Sequence, residues 1–252
     1  MRNIKLTIQY DGTSFAGFEL QPGKRTIRNE IEKALYKLFG QKIKINAASR
    51  TDAGVHALGQ VVNFSLRNPI PLSNIPKALN SVLPEDIRVI KAEQKPKKFN
   101  ARFDAQAKEY EYLISNGDIL PPQFRNYVWQ VKPKLDLWLM RKAAKLLIGK
   151  HDFSSFCAAG GDDKNLVRTL YRLDIRKRRM CLWNSKLLVI SCKLIGNGFL
   201  YKMVRNIVGT LVEVGLGKTS LAELRKILHA RDRRLAGKTA PAAGLCLTKV
   251  RY

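Results

Sequence analysis

Strand-type and helix-type hydrophobic patterns follow one another along this chain in an order that a doubly wound parallel sheet cannot accommodate. Ile4, Leu6, Ile8 and Tyr10 alternate with Lys5, Thr7 and Gln9, the period of a half-buried strand, and Asp11-Gly12 closes it with a turn. From about Thr26 the period changes. Ile27, Ile31, Ala34, Leu35 and Leu38 fall on one stripe, and Gly40 supplies a helix stop. Two strands then come in succession, Ile43 to Ala47 and Val61 to Leu66, separated by the loop SRTDAGVHALGQ. A short helix near Ser73 to Leu83 and a strand from Ile87 to Ala92 end the first block. The polar, basic stretch QKPKKFN, Gln94 to Asn100, reads as a linker. A second block opens with a strand from Ala107 to Ser115, on which Tyr110, Tyr112 and Ile114 face one way. It continues with a helix from Leu135 to Ile148 and strands at Val167–Ile175 and Leu187–Leu194. Helices at Phe199–Val214 and Ser220–Ala230 follow, then a closing strand from Leu245 to Tyr252. Strands neighbour strands too often for repeated crossovers. The predicted class is α+β with mostly antiparallel sheet, as two ferredoxin-like halves, residues 1–98 and 99–252.

Charge narrows the partner. Lys plus Arg is 46 against 20 for Asp plus Glu, a formal net charge of +26. Such an excess opposes compaction, so a polyanion is the natural partner. The basic residues cluster in KPKK (Lys95, Lys97, Lys98), RKRR (Arg176 to Arg179) and RDRR (Arg231, Arg233, Arg234). Any one such run also reads as a solvated surface. Composition therefore supports nucleic acid without separating RNA from DNA, or an enzyme from a passive binder. Tyr110, Tyr112, Phe15 and Phe18 are candidates for base stacking, and equally candidates for the core.

Other classes lose support. Cys157, Cys181, Cys192 and Cys246 form no C-x-x-C pair, and three histidines complete no zinc spacing, so reduced thiols in a cytoplasmic protein are expected. The longest uncharged stretch, Ala53 to Leu66, is too short and polar to span a bilayer, and MRNIKLTIQYDG lacks the apolar core of a leader. Gly217-Lys218-Thr219 imitates the end of a phosphate-binding loop, but Val212 stands where that motif needs its first glycine.

The loop Ser49 to His56 carries the chemistry. By spacing alone, Asp52 and Gly54 read as a turn between two strands. The alternative is functional: Arg50, two positions away, would hold Asp52 ionised, as a nucleophilic or basic carboxylate requires. A carboxylate facing RNA repels phosphate and needs a reason to be there.

These residues stand in segments that resemble one family over nearly the whole chain. The segments are YDGTSFAGF (Tyr10 to Phe18), SRTDAGVHALGQVVNF (Ser49 to Phe64), FNARFDAQAKEYEYLI (Phe99 to Ile114), HDFSSF (His151 to Phe156), MVRNIVGTLVEVG (Met203 to Gly215) and APAAGLCL (Ala240 to Leu247). In that order they resemble the tRNA pseudouridine synthases of the bacterial synthase A (TruA) type. The resemblance implies an isomerase that converts uridine to pseudouridine at positions 38, 39 and 40 of the tRNA anticodon stem-loop. It implies no cofactor and no metal, and a homodimer of chains with two α+β domains around a cleft. Asp52 matches the family's catalytic aspartate and Tyr110 the tyrosine that stacks on the target base. Arg50 matches a residue that contacts RNA and helps open the base, and Arg205 the basic partner of the aspartate. Cys157 departs from the pattern, standing where many relatives carry Arg. A non-catalytic RNA-binding protein on the same scaffold is the competing reading.

Overall fold

The computed structural model describes residues 1–161, 163–182 and 184–252. In chain order, its elements are β1 (Arg2–Tyr10), α1 (Ile27–Phe39), β2 (Asn46–Ala47), β3 (His56–Leu66), α2 (Asn74–Asn80), β4 (Ile87–Lys95), β5 (Ala107–Asn116), β6 (Trp129–Val131), α3 (Leu137–Leu147), β7 (Gly149–Asp152), β8 (Val167–Leu182), β9 (Ser185–Gly196), α4 (Met203–Gly215), α5 (Leu221–Ala230) and β10 (Leu245–Arg251). The class is α+β with mostly antiparallel sheet. The chain divides into two compact units, Met1–Gln106 with Cys246–Tyr252, and Ala107–Leu245.

In the first unit β1 is central. It pairs antiparallel with β3 on one side and β4 on the other. The alternation of its sequence is realised in full: Ile4, Leu6 and Ile8 are 0% exposed and Tyr10 is buried beside them. Helix α1 buries Ile27, Ile31, Ala34 and Leu35 on one stripe. Thr26 caps it by accepting from the Asn29 N–H, and Gly40, at φ 64°, ends it by returning its N–H to the Tyr36 carbonyl. The other edge of β3 has two partners. β10 runs parallel to it through Cys246 opposite His56 and Leu247 opposite Ala57. Further along, β2 runs antiparallel through Ala47 opposite Val62 and Asn46 opposite Asn63.

In the second unit the strand order is β5-β9-β8-β7, all antiparallel, and β6 runs parallel to β5. Tyr110, Tyr112 and Ile114 share the buried face of β5, as their spacing predicts. Helix α4 is buried along most of its length. Helix α5 opens on the expected capping box of Ser220 and Glu223.

Several boundaries depart from expectation. β3 begins at His56, so the second half of the expected loop is strand; pairing to β10 and to Tyr10 extends it. β4 runs through Gln94 and Lys95, which pair with Ile4 and Asn3. β8 does not end at Ile175 but carries the RKRR run within a long hairpin with β9. The short strands β6 and β7 gave no periodic signal at all.

Candidate active site

The loop between β2 and β3 is gripped from both flanks by backbone. The Phe18 N–H donates to the Thr51 carbonyl at 3.0 Å, and the Gly54 N–H donates to the Phe15 carbonyl at 3.3 Å. Val55 N–H closes onto the Asp52 carbonyl at 3.1 Å, with Gly54 at φ 76°. The turn expected from Asp52 and Gly54 therefore exists, and it is the platform that presents Asp52.

The glycines of YDGTSFAGF make the grip possible. A Cβ on Gly12 would lie 2.0 Å from the Val55 carbonyl oxygen. Gly17 sits at φ +108°, and a Cβ there would lie 3.0 Å from the Thr51 oxygen and 3.3 Å from the Asp52 carbonyl carbon. Phe15 and Phe18, two of the stacking candidates, are instead core: they are 4% and 0% exposed, under this mould. Their spacing could not reveal that, because an aromatic in a loop between elements serves either role.

Asp52 itself is partly exposed, between a buried Thr51 and an exposed Ala53. The side chain is not sealed in the protein. Arg50 extends its Nε to within 3.5 Å of Glu19, which also pairs with Arg28. His56, buried at the end of the loop, accepts from the Gly12 N–H through Nδ1 at 3.1 Å. Asp11 Oδ1 lies 3.2 Å from the same Nδ1.

In the second unit Tyr110 is 6% exposed and packs edge-on against Phe199, with ring centroids 5.2 Å apart. Tyr112, two residues on, is fully buried and donates its hydroxyl to the Pro241 carbonyl at 2.7 Å. Burial drives its phenol far above the ordinary range, against a smaller opposing effect of the Arg205 charge. It is a structural donor and not a stacking surface. A Cβ on Gly244 would lie 2.6 Å from its ring.

Arg205 is held at both ends to one residue. Its Nε donates to the Ala240 carbonyl at 2.8 Å, and its own carbonyl accepts from the Ala240 N–H at 3.1 Å. Asn206 and Thr210 of the same helix fasten the segment before Ala240. Asn206 Oδ1 accepts from Arg233 at 3.0 Å and from Thr239 at 2.7 Å, and Thr210 Oγ1 accepts from the Gly237 N–H at 2.9 Å. Asn206 is 0% exposed, a buried amide that the motif MVRNIVG contained but that sequence reading passed over. Its signal was a pair of polar residues, Asn206 and Thr210, four apart on a largely apolar helix.

Arg50 and Asp52 thus share one loop of the first unit, and Tyr110 and Arg205 belong to the second. Among the described residues no group of three or more His, Cys, Asp or Glu side chains could hold a metal ion. No described helix is long and apolar enough to cross a membrane.

A family model described as tRNA pseudouridine synthase matches residues 6–104 and 143–252. Relatives each called tRNA pseudouridine synthase A align along the chain. The one from Thermoanaerobacter sp. is 44% identical over 252 residues, covering 100% of both chains. The one from Brevibacillus brevis is 45% identical over 252 residues, also covering 100% of both. The one from Bacillus pumilus is 46% identical over 251 residues, covering 99% of this chain and 98% of its own.

Proposed function

The chain belongs to the tRNA pseudouridine synthase family, and on that premise we propose that Asp52 is the catalytic carboxylate for isomerisation at positions 38, 39 and 40 of the anticodon stem-loop. The protein is an isomerase acting on tRNA, converting uridine to pseudouridine. In that conversion the C1′–N1 bond breaks, the base turns, and a C1′–C5 bond forms. The C5 proton leaves to solvent and N1 gains one, so the overall reaction consumes no oxidant, reductant or water. A carboxylate serves this either as a nucleophile at C1′ or C6 or by removing a sugar proton.

The observation that carries the reading is a partly exposed Asp52 on a loop gripped by backbone from both flanks, in a chain of net charge +26. Fixing the loop before substrate arrives spares the reaction the cost of ordering it. In this reading Tyr110 stacks on the target base, Arg205 pairs with the carboxylate, and Arg50 contacts RNA and helps open the base. Extrusion from the stack costs a few kcal/mol, which phosphate contacts supply. The working unit in this reading is a cytoplasmic homodimer that needs no metal and no cofactor.

The test is Asp52→Asn. Tritium release from tRNA labelled at uridine C5 is expected to fall to background while tRNA binding stays within a few-fold. Substantial turnover by the pure variant rejects Asp52. Unchanged pseudouridine in the anticodon arm of cells lacking the gene points instead to the non-catalytic RNA-binding reading.

A further inference from the structure

β3 changes partner along one edge, and Gln60 stands at the change. β10 pairs at His56 and Ala57, and β2 pairs at Val62 and Asn63. The β2 ladder runs from Asn46 opposite Asn63 to Ala47 opposite Val62, and the Ala48 N–H still reaches the Val61 carbonyl at 2.8 Å. One residue further, that register sets Ser49 opposite Gln60. There Ser49 bonds to the Gln60 side chain through both of its backbone groups. Gln60 Nε2 donates to the Ser49 carbonyl at 2.7 Å, and the Ser49 N–H donates to Gln60 Oε1 at 3.2 Å.

The remaining capacity of this amide is also spent. Oε1 accepts from the Val61 N–H at 3.1 Å, and Nε2 donates to the Tyr10 hydroxyl at 3.4 Å. Two donors and two acceptor sites are all that a glutamine amide has. Gln60 is 0% exposed, so these bonds form without competition from bulk water. The Tyr10 hydroxyl, receiving from Gln60, is also hydrogen-bonded to the Thr51 hydroxyl at 2.7 Å. Thr51 is the residue before Asp52. A buried polar chain therefore runs Gln60, Tyr10, Thr51 and ends one residue from the carboxylate.

We propose that Gln60 is a positioning residue for the isomerisation: its amide replaces the next step of the β2–β3 ladder, peels the chain off the sheet at Ser49, and through Tyr10 and Thr51 sets where Asp52 stands. This rests on the reading of Asp52 as the catalytic carboxylate. A displacement of about 1 Å in a reacting group costs on the order of 100-fold in rate, so a chain fixing this loop acts on turnover more than on tRNA affinity.

The experiment compares Gln60→Met, Tyr10→Phe and their double variant with the natural protein in single-turnover tritium release from C5-labelled tRNA. tRNA affinity and the thermal midpoint are measured alongside, and Asp52→Asn is run in parallel. Gln60→Met is expected to lower the single-turnover rate roughly 100-fold and Tyr10→Phe about 10-fold, each with tRNA affinity within about two-fold. Because the groups act in series, the double variant is expected to be no slower than Gln60→Met by more than about two-fold. Natural rates in a folded single variant, losses confined to affinity, or single losses that multiply in the double variant each overturn the proposal. Should Gln60→Met fail to fold, Tyr10→Phe decides alone: a natural rate overturns the chain and a lowered rate at natural affinity supports it. Turnover by Asp52→Asn sinks the carboxylate reading, whereas an inert Asp52→Asn beside unimpaired Gln60 and Tyr10 variants sinks the positioning role only.

Discussion

Asp52 and Arg205 stand in RTDAGVH and MVRNIVG, so their candidacy needed no structure. Gln60 sits in a strand where a polar residue normally means a solvent-facing position, and nothing in HALGQVVNF says that its side chain is fully enclosed. The cysteines are similar: four thiols in sequence, none in a disulfide, but only Cys192 completely buried, on β9. Burial, with a smaller contribution from the Glu111 charge, pushes its thiol up to about 12. The sign follows from linkage. An acid whose folded pKa is raised stabilises the fold fully below its unfolded value, about 8.5 for a thiol, and loses that contribution as pH climbs toward the folded value. By pH 10.5 the loss is on the order of 2 kcal/mol. The thermal midpoint of the natural protein is therefore expected to fall between pH 8 and 10.5 more steeply than that of Cys192→Ala, which stays apolar and has no proton to lose. Parallel slopes in a calorimetric pH series contradict the assignment. The buried phenol of Tyr112 and the half-buried phenol of Tyr252, both raised by desolvation, add a common alkaline sensitivity that the variant retains.

Elements were legible in proportion to their length and regularity. α1, β1 and α5 announce themselves by period and by cap, because one face of each meets a core. β6 and β7, three and four residues long, exist only because β5 and β8 offer edges to them, which is tertiary information. β3 gained its first five residues the same way. The close approach of the chain to α4 was equally hidden. A Cβ on Gly209 would lie 1.7 Å from the Lys238 carbonyl oxygen, so the segment leading to Ala240 rests directly on the helix backbone. That segment also holds Arg205 through Ala240. Gly209→Ala is expected to cost about 1–3 kcal/mol of stability by overpacking, and to lower turnover further than this loss explains because the Arg205 anchor shifts with the segment. Gly117→Ala is the control, since a Cβ there meets nothing within 4 Å and its backbone lies outside the left-handed region. Thermal unfolding and tritium release on both variants check the claim; equal behaviour of the two disproves the contact's importance.

At the scale of the whole molecule, net charge was legible but its disposition was not. The run RDRR looked like a phosphate-binding patch, yet Arg231 pairs with Asp152 at 2.9 Å, Arg234 with Asp232 at 2.7 Å, and Arg233 is bonded to Ala236, Asn206 and Thr239. Asp152 lies 79 positions from Arg231 in sequence, out of reach of any local reading, whereas Asp232 stands within the run itself. RKRR differs. All four residues are exposed on β8, and among the described residues only Arg176 and Arg178 lean on carboxylates, Asp174 and Glu111. Two physical roles compete for Lys177 and Arg179. β7 pairs with β8 only as far as Leu170, so beyond it β8 presents an outer edge, and charge on such an edge deters pairing with another chain. The same charges can neutralise RNA phosphates and release counterions, which makes affinity fall with salt. Lys177→Ala with Arg179→Ala separates the roles. If both meet phosphate, affinity for tRNA drops at low salt, and the slope of log affinity against log salt becomes shallower by about 2, roughly 1 per contact. If they guard an edge, the slope is unchanged and the variant self-associates as concentration rises. The +26 charge favours the first outcome, because guarding one edge needs only a residue or two of this excess. Titrations of tRNA from about 50 to 200 mM salt, beside light scattering of the free variant, decide between them. An affinity flat across that range in the natural protein would contradict phosphate contacts anywhere on its surface.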